Sequence, residues 1–355
     1  MKIKSIKSWT ADLGNTKPYT IAFKTVDEVL NAFVEITLDN GVTGIGAANP
    51  SEYVTGENFD QCASALQEKN ISFLAGRDIR ELNQLTFEVW QKFPKNPAAR
   101  AALDIALYDA FTKHLDIPLV KYLGQKIQSL PTSNTIGIKN VEETLKEAKE
   151  YGERGFKILK VKLGIDLQED IERIVKLREK FGKKFVIRID ANQGYDSAKT
   201  IEFYNKTKHL DVELIEQPLP AKEIQATKKL PDDVRKIIAA DESLLTPKSA
   251  MELVKPPLAT GIFNIKLMKC GGISQALKIA DIGAQEGVEL FWGCNDESII
   301  SITAALHVAF ACANTKYIDL DGSLDLARDV VKGGFILKDG IMSCSDKPGL
   351  GVERI

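Results

Sequence analysis

From about Leu130 onward the chain repeats one pattern eight times, a short apolar run followed by an amphipathic helical stretch. The runs are "TSNTIGI", "ILKVKLG", "FVIRIDAN", "VELIEQP", "KIIAADES", "GIFNIKLM", "LFWGCNDE" and "YIDLDG", with helical patterns such as 141–154, 168–181 and 274–286 between them. Strands that alternate with helices build parallel sheets, because a parallel neighbour needs a crossover and a helix supplies it. Eight such units are the number that closes a (β/α)8-type, TIM-like barrel, at its usual size of roughly 200 to 250 residues. An open doubly wound sheet would require a glycine-rich phosphate loop after an early strand, and the sequence has none.

Residues 1–125 follow another pattern. "EVLNAFVEITLDNGVTGIGA" alternates, breaks at Asn40-Gly41 and alternates again, which predicts a β-hairpin. Helical stretches follow at about 58–67, 79–93 and 97–115. The expected organisation is an α+β unit over 1–125, the barrel over 126–322, and a small β-segment over 323–355 that returns to the first unit.

One charged residue falls near the C-terminal end of each of five successive barrel strands: Lys162, Asp190, Glu216, Asp241 and Lys266, at spacings of 28, 26, 25 and 25 residues. That end of a barrel is the rim to which every strand delivers a side chain, and charged groups rarely occupy buried strand positions unless paired or bound to metal. Asp190, Glu216 and Asp241 would converge as three carboxylates that repel one another until a divalent cation neutralises them. All-oxygen ligands without His or Cys point to Mg²⁺ or Mn²⁺ rather than zinc. Simple charge pairing with the lysines is the alternative, and it would need no ordered spacing.

The lysines flank the acids. Lys160 and Lys162 share one face of their strand, since side chains at i and i+2 point the same way. A lysine near its ordinary pKa of about 10.4 is a poor base at neutral pH, and a neighbouring cation lowers that value. Lys160 is therefore expected to depress Lys162 and to help bind a substrate carboxylate. Lys162 and Lys266, on opposite sides of the metal, could remove a proton from one face of a planar enediolate and return it on the other. The expected reaction is epimerisation.

Bulk properties agree with a small-molecule enzyme. The formal charge of −2 and pI near 6.1 offer no basic footprint for nucleic acid or an acidic membrane. The N-terminus "MKIKSIKSWTADL" lacks the apolar core of a signal peptide, and no apolar stretch approaches the roughly 20 residues that span a bilayer. Cys62, Cys270, Cys294, Cys312 and Cys344 are scattered, as for buried free thiols in a reducing cytoplasm. His114, His209 and His307 are isolated and expected to be structural. A cytoplasmic homo-oligomer is expected.

In order and spacing, "KVK" (Lys160 to Lys162), "DAN" (Asp190), "EQP" (Glu216), "ADES" (Asp241) and "NIKLMKCGG" (Lys266) resemble the enolase superfamily, in its muconate-lactonizing subgroup. The resemblance covers essentially the whole chain. It implies a capping domain over the barrel mouth, one Mg²⁺ held by Asp190, Glu216 and Asp241, and Lys162 with Lys266 as the acid/base pair. Lys269 matches no role and is expected to be solvated. The family commonly has Glu in the hairpin sequence GxGE where this chain has Ala47, a departure that bears on the domain contact rather than on the chemistry.

Within the subgroup, Asp319 and Asp321 of "YIDLDG" resemble the DxD signature of dipeptide epimerases, which implies an anchor for the substrate α-ammonium; two acids at a strand end are the structural alternative. The implied substrate is a dipeptide. Glu297 matches an acid of the same group, and Asp296 beside it is expected to line the pocket and favour a Lys or Arg side chain. Lys24, in the loop 17–25, points instead to Ala-Glu, since the similar position carries Arg in enzymes selective for that dipeptide; the segment 51–58 is the second loop expected to shape specificity. A flexible lysine is a weaker carboxylate clamp than a guanidinium, which favours basic dipeptides. An L-Ala-D/L-Glu epimerase, a sister o-succinylbenzoate synthase or cycloisomerase, and a non-catalytic protein on the same barrel are the other candidates.

Overall fold

The computed structural model describes residues 1–16, 19–21, 24–26 and 28–355, with side chains for 1–16 and 28–355. The side chains of the whole loop 17–25, Lys24 among them, lie outside the described residues, as does the backbone of residues 17, 18, 22 and 23.

The predicted hairpin is the core of a three-stranded antiparallel sheet, Ile3–Asp12, Leu30–Leu38 and Thr43–Ala48 in that order. Asn40 and Gly41 make the turn, with Gly41 at φ 87 and the Asn40 side chain accepting from the Val42 N–H at 3.1 Å. The strand "TGIGAA" lies directly on the alanine-rich helix Pro97–His114. That approach requires glycine: a Cβ on Gly46 would stand 1.8 Å from the Ala102 carbonyl oxygen, and one on Gly44 2.4 Å from that of Ala106.

Eight parallel strands follow, at Ser133–Ile136, Ile158–Lys162, Val186–Asp190, Val212–Glu216, Ile238–Ala240, Ile262–Ile265, Glu289–Trp292 and Thr315–Ile318. Each neighbours the next, and a bridge between Thr132 and Ile318 joins the last to the first, so the sheet closes as a TIM-type barrel. The Thr132 hydroxyl accepts from the Leu320 N–H at 3.0 Å across the same seam. Helices cover the first seven strand connections. The eighth strand has none after it; the chain turns back, Arg328 donates to the Asp12 carbonyl at 2.7 Å, and the Leu350 N–H donates to Asp109 of the long helix at 2.8 Å.

Alternation along the strands divides two cores. Leu159, Val161, Ile187, Ile189 and Ile215 pack outward against the helices. Leu214, Ala239, Ile262 and Phe291 form an apolar layer inside the barrel with Tyr317. Above that layer Lys160 lies 5.7 Å from the Phe291 ring centroid, and Arg188 lies 5.4 Å from Phe291 and 5.2 Å from Tyr317. The charged mouth therefore rests on an apolar floor.

Of the five free thiols, Cys62, Cys270 and Cys312 are buried, while Cys294 and Cys344 are half-buried. No helix among the described residues is long and apolar enough to cross a membrane. His307 is fully enclosed, and its Nδ1 accepts from the Val120 N–H at 2.9 Å, which keeps the ring neutral. Burial pushes its pKa down to about 3. An unfolded chain has its imidazole near 6.5, so between these values unfolding takes up a proton. Stability should fall as the pH drops through this window, by at most about 1.4 kcal/mol per pH unit from this residue. His307→Asn, which keeps an acceptor for Val120, should flatten the urea-derived stability slope between about pH 6 and 4. An unchanged slope would clear His307 of that role.

Candidate active site

Strand register assembles the site. Lys162 pairs with Asp190, Asp190 with Glu216, and Glu216 with Ala239, with Asp241 two residues further on. The functional side chains thus stand in one row along the C-terminal rim. Gln217, at φ 33, turns the chain after Glu216, and its Oε1 accepts from the Asp241 N–H (2.9 Å), the Ser243 N–H (3.1 Å) and the Ser243 hydroxyl (2.9 Å). That one amide ties the loop carrying the third acid to the strand carrying the second. Lys266 directly follows the sixth strand, four strands from Lys162 in a ring of eight, so the two lysines face each other across the mouth.

Lys160 is 4% exposed and reaches three carboxylates, Glu216 Oε2 at 2.8 Å, Asp319 Oδ2 at 2.9 Å and Asp190 Oδ2 at 3.4 Å. Its charge is matched by these acids, so Lys160 is not the bare cation beside Lys162 that its spacing suggested. Lys162, with its side chain 31% exposed, donates to Asn192 Oδ1 at 3.2 Å and lies 3.6 Å from Asp190 Oδ2. Lys266 donates to Asp241 Oδ2 at 2.9 Å. Asn264 Nδ2 donates to Glu216 Oε1 at 2.7 Å.

The expectation that Lys269 is solvated is wrong. Lys269 is 2% exposed and donates to the Asp241 carboxylate, the Asp241 carbonyl (2.6 Å) and the Asn264 carbonyl (2.9 Å). The chain enters a single helical turn, Leu267–Cys270, immediately after Lys266, and residues three apart on a helix share a face. A lysine at i+3 in an apolar run was the available signal. Sequence reasoning also passed over Glu242, which is 7% exposed and has a buried Oε2 with no hydrogen-bond partner.

Burial and the Asp190 charge push Glu216 up to about 8, against the pull of Lys160. Burial, Asp241 and Asp190 push Glu242 up to about 7. Burial also raises Asp241, but Lys266 and Lys269 more than offset it and hold the carboxyl well below its usual range. Burial disfavours charge on Lys266, yet Asp241 and Glu216 outweigh it and keep the ammonium strongly protonated.

Asp319 and Asp321 meet the KxK strand at the barrel seam. Asp319 Oδ1 accepts from the Ser133 hydroxyl at 2.6 Å, and its Oδ2 takes the bond from Lys160. Asp321 Oδ2 accepts from the Thr135 N–H at 2.8 Å, and burial followed by the Asp319 charge pushes it up to about 7. Glu297 turns inward, 2% exposed, with Oε1 accepting from the Asn295 N–H at 2.8 Å; burial pushes it up to about 7. Asp296 is half-buried where the seventh strand's loop meets the N-terminal sheet, its carbonyl accepting from Asn31 Nδ2 at 3.5 Å.

Among the described residues no three His, Cys, Asp or Glu side chains close on a single point, because ammonium groups stand among the acids. The donor set still fits a hard divalent cation. Three carboxylates share one rim, Glu216 Oε2 receives no aligned hydrogen bond although Lys160 is close, and Glu242 Oε2 has no donor. The raised Glu216 and Glu242 mark a place that calls for more positive charge than the lysines supply.

Comparison with known proteins agrees with this geometry. Residues 6–124 match the mandelate racemase/muconate lactonizing enzyme N-terminal domain, and residues 143–354 match the enolase C-terminal domain-like family. The chain is 52% identical over 355 residues to an L-Lys-D/L-Arg epimerase of Desulforapulum autotrophicum, covering 100% of both chains. It superposes on the dipeptide epimerase of Methylococcus capsulatus, crystallised with Mg and L-Arg-D-Lys, with TM-score 0.98, 50% identity and 99% of each chain covered. The substrate-liganded L-Ala-D/L-Glu epimerase of Bacillus subtilis matches at TM-score 0.94 and 34% identity, again over 99% of each chain.

Gly293 gives the site a packing test. A Cβ there would lie 2.6 Å from Asn264 Oδ1 and 3.0 Å from Lys266 Cε. Gly293→Ala should cost about 1–3 kcal/mol of stability through overpacking, read as a lower urea midpoint at unchanged m-value. A variant as stable as the parent would show that Asn264 and Lys266 yield freely.

Proposed function

Because the chain belongs to the enolase superfamily, in its mandelate racemase/muconate lactonizing enzyme family, we propose that it is a Mg²⁺-dependent dipeptide epimerase that prefers dipeptides with basic side chains. It is an isomerase. The observation that carries the proposal is the row of Lys162, Asp190 and Glu216 set by strand register, with Lys266 four strands away. Mg²⁺, held by Asp190, Glu216 and Asp241, would supply the positive charge a substrate carboxylate needs as its α-proton leaves.

The chain's own residues then account for the proton transfers. One lysine, as the neutral amine, takes the α-proton of the C-terminal residue. The C–H electron pair moves into the carboxylate, leaving a planar enediolate. The opposite lysine, as the ammonium, returns a proton to the other face, inverting the carbon. Lys160 offsets the buried acids and holds Asp319 in place. Asp321, half-buried beside it, is the carboxylate best placed with Asp319 to receive the dipeptide's ammonium. Asp296, at the junction of barrel loop and cap, would pair with a cationic side chain, while buried Glu297 serves the loop that carries it. The names of the half-identical relatives support basic side chains over the Ala-Glu preference to which Lys24 pointed.

Each of Lys162→Ala and Lys266→Ala should lower epimerisation of L-Lys-L-Arg by about 10²–10⁴-fold. Either variant at the parental rate would refute the two-base assignment. Parental activity after exhaustive chelation would remove the metal from the scheme.

Comparing kcat/KM for L-Lys-L-Arg and L-Ala-L-Glu tests specificity. The basic dipeptide should win by about tenfold or more, as expected of one charge-assisted contact. A preference for L-Ala-L-Glu would eliminate the role given to Asp296.

A further inference from the structure

The two bases are held in different ways. Lys266 is buried and hydrogen-bonded directly to Asp241 at 2.9 Å. Lys162 is partly exposed, and the nearest carboxylate oxygen, Asp190 Oδ2, lies 3.6 Å away, beyond a direct hydrogen bond. The side chain that does accept from it is Asn192, through Oδ1 at 3.2 Å.

Asn192 is fixed in an uncommon conformation. Its φ is 42 and that of Gln193 is 68, both in the left-handed region that asparagine tolerates better than most residues. The Asn192 N–H donates to Asp190 Oδ1 at 2.9 Å, so the residue is tied to the acid on one side and to the base on the other. Gln193 secures the next position: its N–H donates to the Gln217 carbonyl at 2.7 Å, and its Oε1 accepts from the Ala221 N–H at 2.9 Å. Gly194 then lies against the turn that follows Lys162. A Cβ on Gly194 would stand 2.1 Å from the Gly164 carbonyl oxygen, and one on Gly164 2.2 Å from that of Ala191. Two loops locked this closely leave the Asn192 amide little freedom relative to Lys162. Strained backbone that persists under such restraint is a mark of functional placement.

We propose that Asn192 is the positioning residue of one base only: its side-chain carbonyl holds Lys162 Nζ toward the substrate, so proton transfer on that face of the α-carbon depends on it and transfer at Lys266 does not. The inference rests on the two-base epimerase function. It goes beyond it in giving the two half-reactions different supports, a side-chain amide for Lys162 and a direct carboxylate contact for Lys266.

Asn192→Gly is the informative variant, because glycine keeps the left-handed backbone while removing the carbonyl. L-Lys-L-Arg and L-Lys-D-Arg are each incubated in deuterium oxide with Mg²⁺, and α-deuterium incorporation into the starting epimer is followed at early times. The epimer whose exchange disappears in Lys162→Ala defines the Lys162 face. In Asn192→Gly, exchange of that epimer should fall about tenfold or more while exchange of the other stays within about twofold, since one hydrogen bond to a charged amine is lost on one face alone. A folding or metal-binding defect would lower both together, so an equal loss from both epimers overturns the proposal, as does no loss from either. If the parent enzyme exchanges neither dipeptide, the epimerase function itself falls and this inference with it.

Discussion

Like charge gathered inside a low-dielectric barrel is the constraint around which the rest of this structure is arranged. Two carboxylates about 4 Å apart repel by about 4 kcal/mol at an effective dielectric near 20. Several such pairs rival the whole stability margin of a domain, about 5–15 kcal/mol. The acids Asp190, Glu216, Asp241 and Asp319 are therefore interleaved with Lys160, Lys266 and Lys269, three ammonium groups that are themselves almost fully buried. Each lysine offsets more than one acid or carbonyl. The arrangement stands on Phe291 and its apolar neighbours, which keep water from entering below.

The N-terminal unit is bound to the same machinery. Asp104, in the long helix of that unit, accepts from the Ile273 N–H at 2.6 Å, just past the turn that carries Lys266 and Lys269. Gly271 and Gly272 have positive φ there, and a Cβ on Gly272 would fall 2.5 Å from Asp104 Cβ. The same helix carries Gly44 and Gly46 of the hairpin on its other side. Small residues on both faces let one helix link the hairpin to the barrel turn beneath it, and that contact is made without a Glu at Ala47, which is fully buried opposite Phe33.

Much of this was legible in the sequence. Alternation of apolar runs and helices located all eight barrel strands, and the recurring charged strand end named the residues that register brings into a row. Less visible were the residues whose placement depends on what happens after a strand stops. Lys269 enters the site through one helical turn, Glu242 through a loop that begins once the fifth strand ends at Ala240, and Asn192 through a left-handed bend. The contact of Asp319 with Lys160, 159 residues away in sequence, is a product of closure and has no local signature.

Closure has a consequence for how the molecule comes into being. The eighth strand meets the first through the single bridge between Thr132 and Ile318, and only then does Asp319 reach Lys160 and Ser133. On a growing chain Lys160, Asp190 and Glu216 are synthesised long before Asp319, so Lys160 lacks one of its three carboxylate partners until the eighth strand docks. Contacts of such long sequence range are slow to form, and an unclosed sheet exposes two edges in the meantime. The final barrel strand thus acts as the clasp of the nascent protein: until it docks the ring stays open, and Asp319 is still without Lys160 and Ser133.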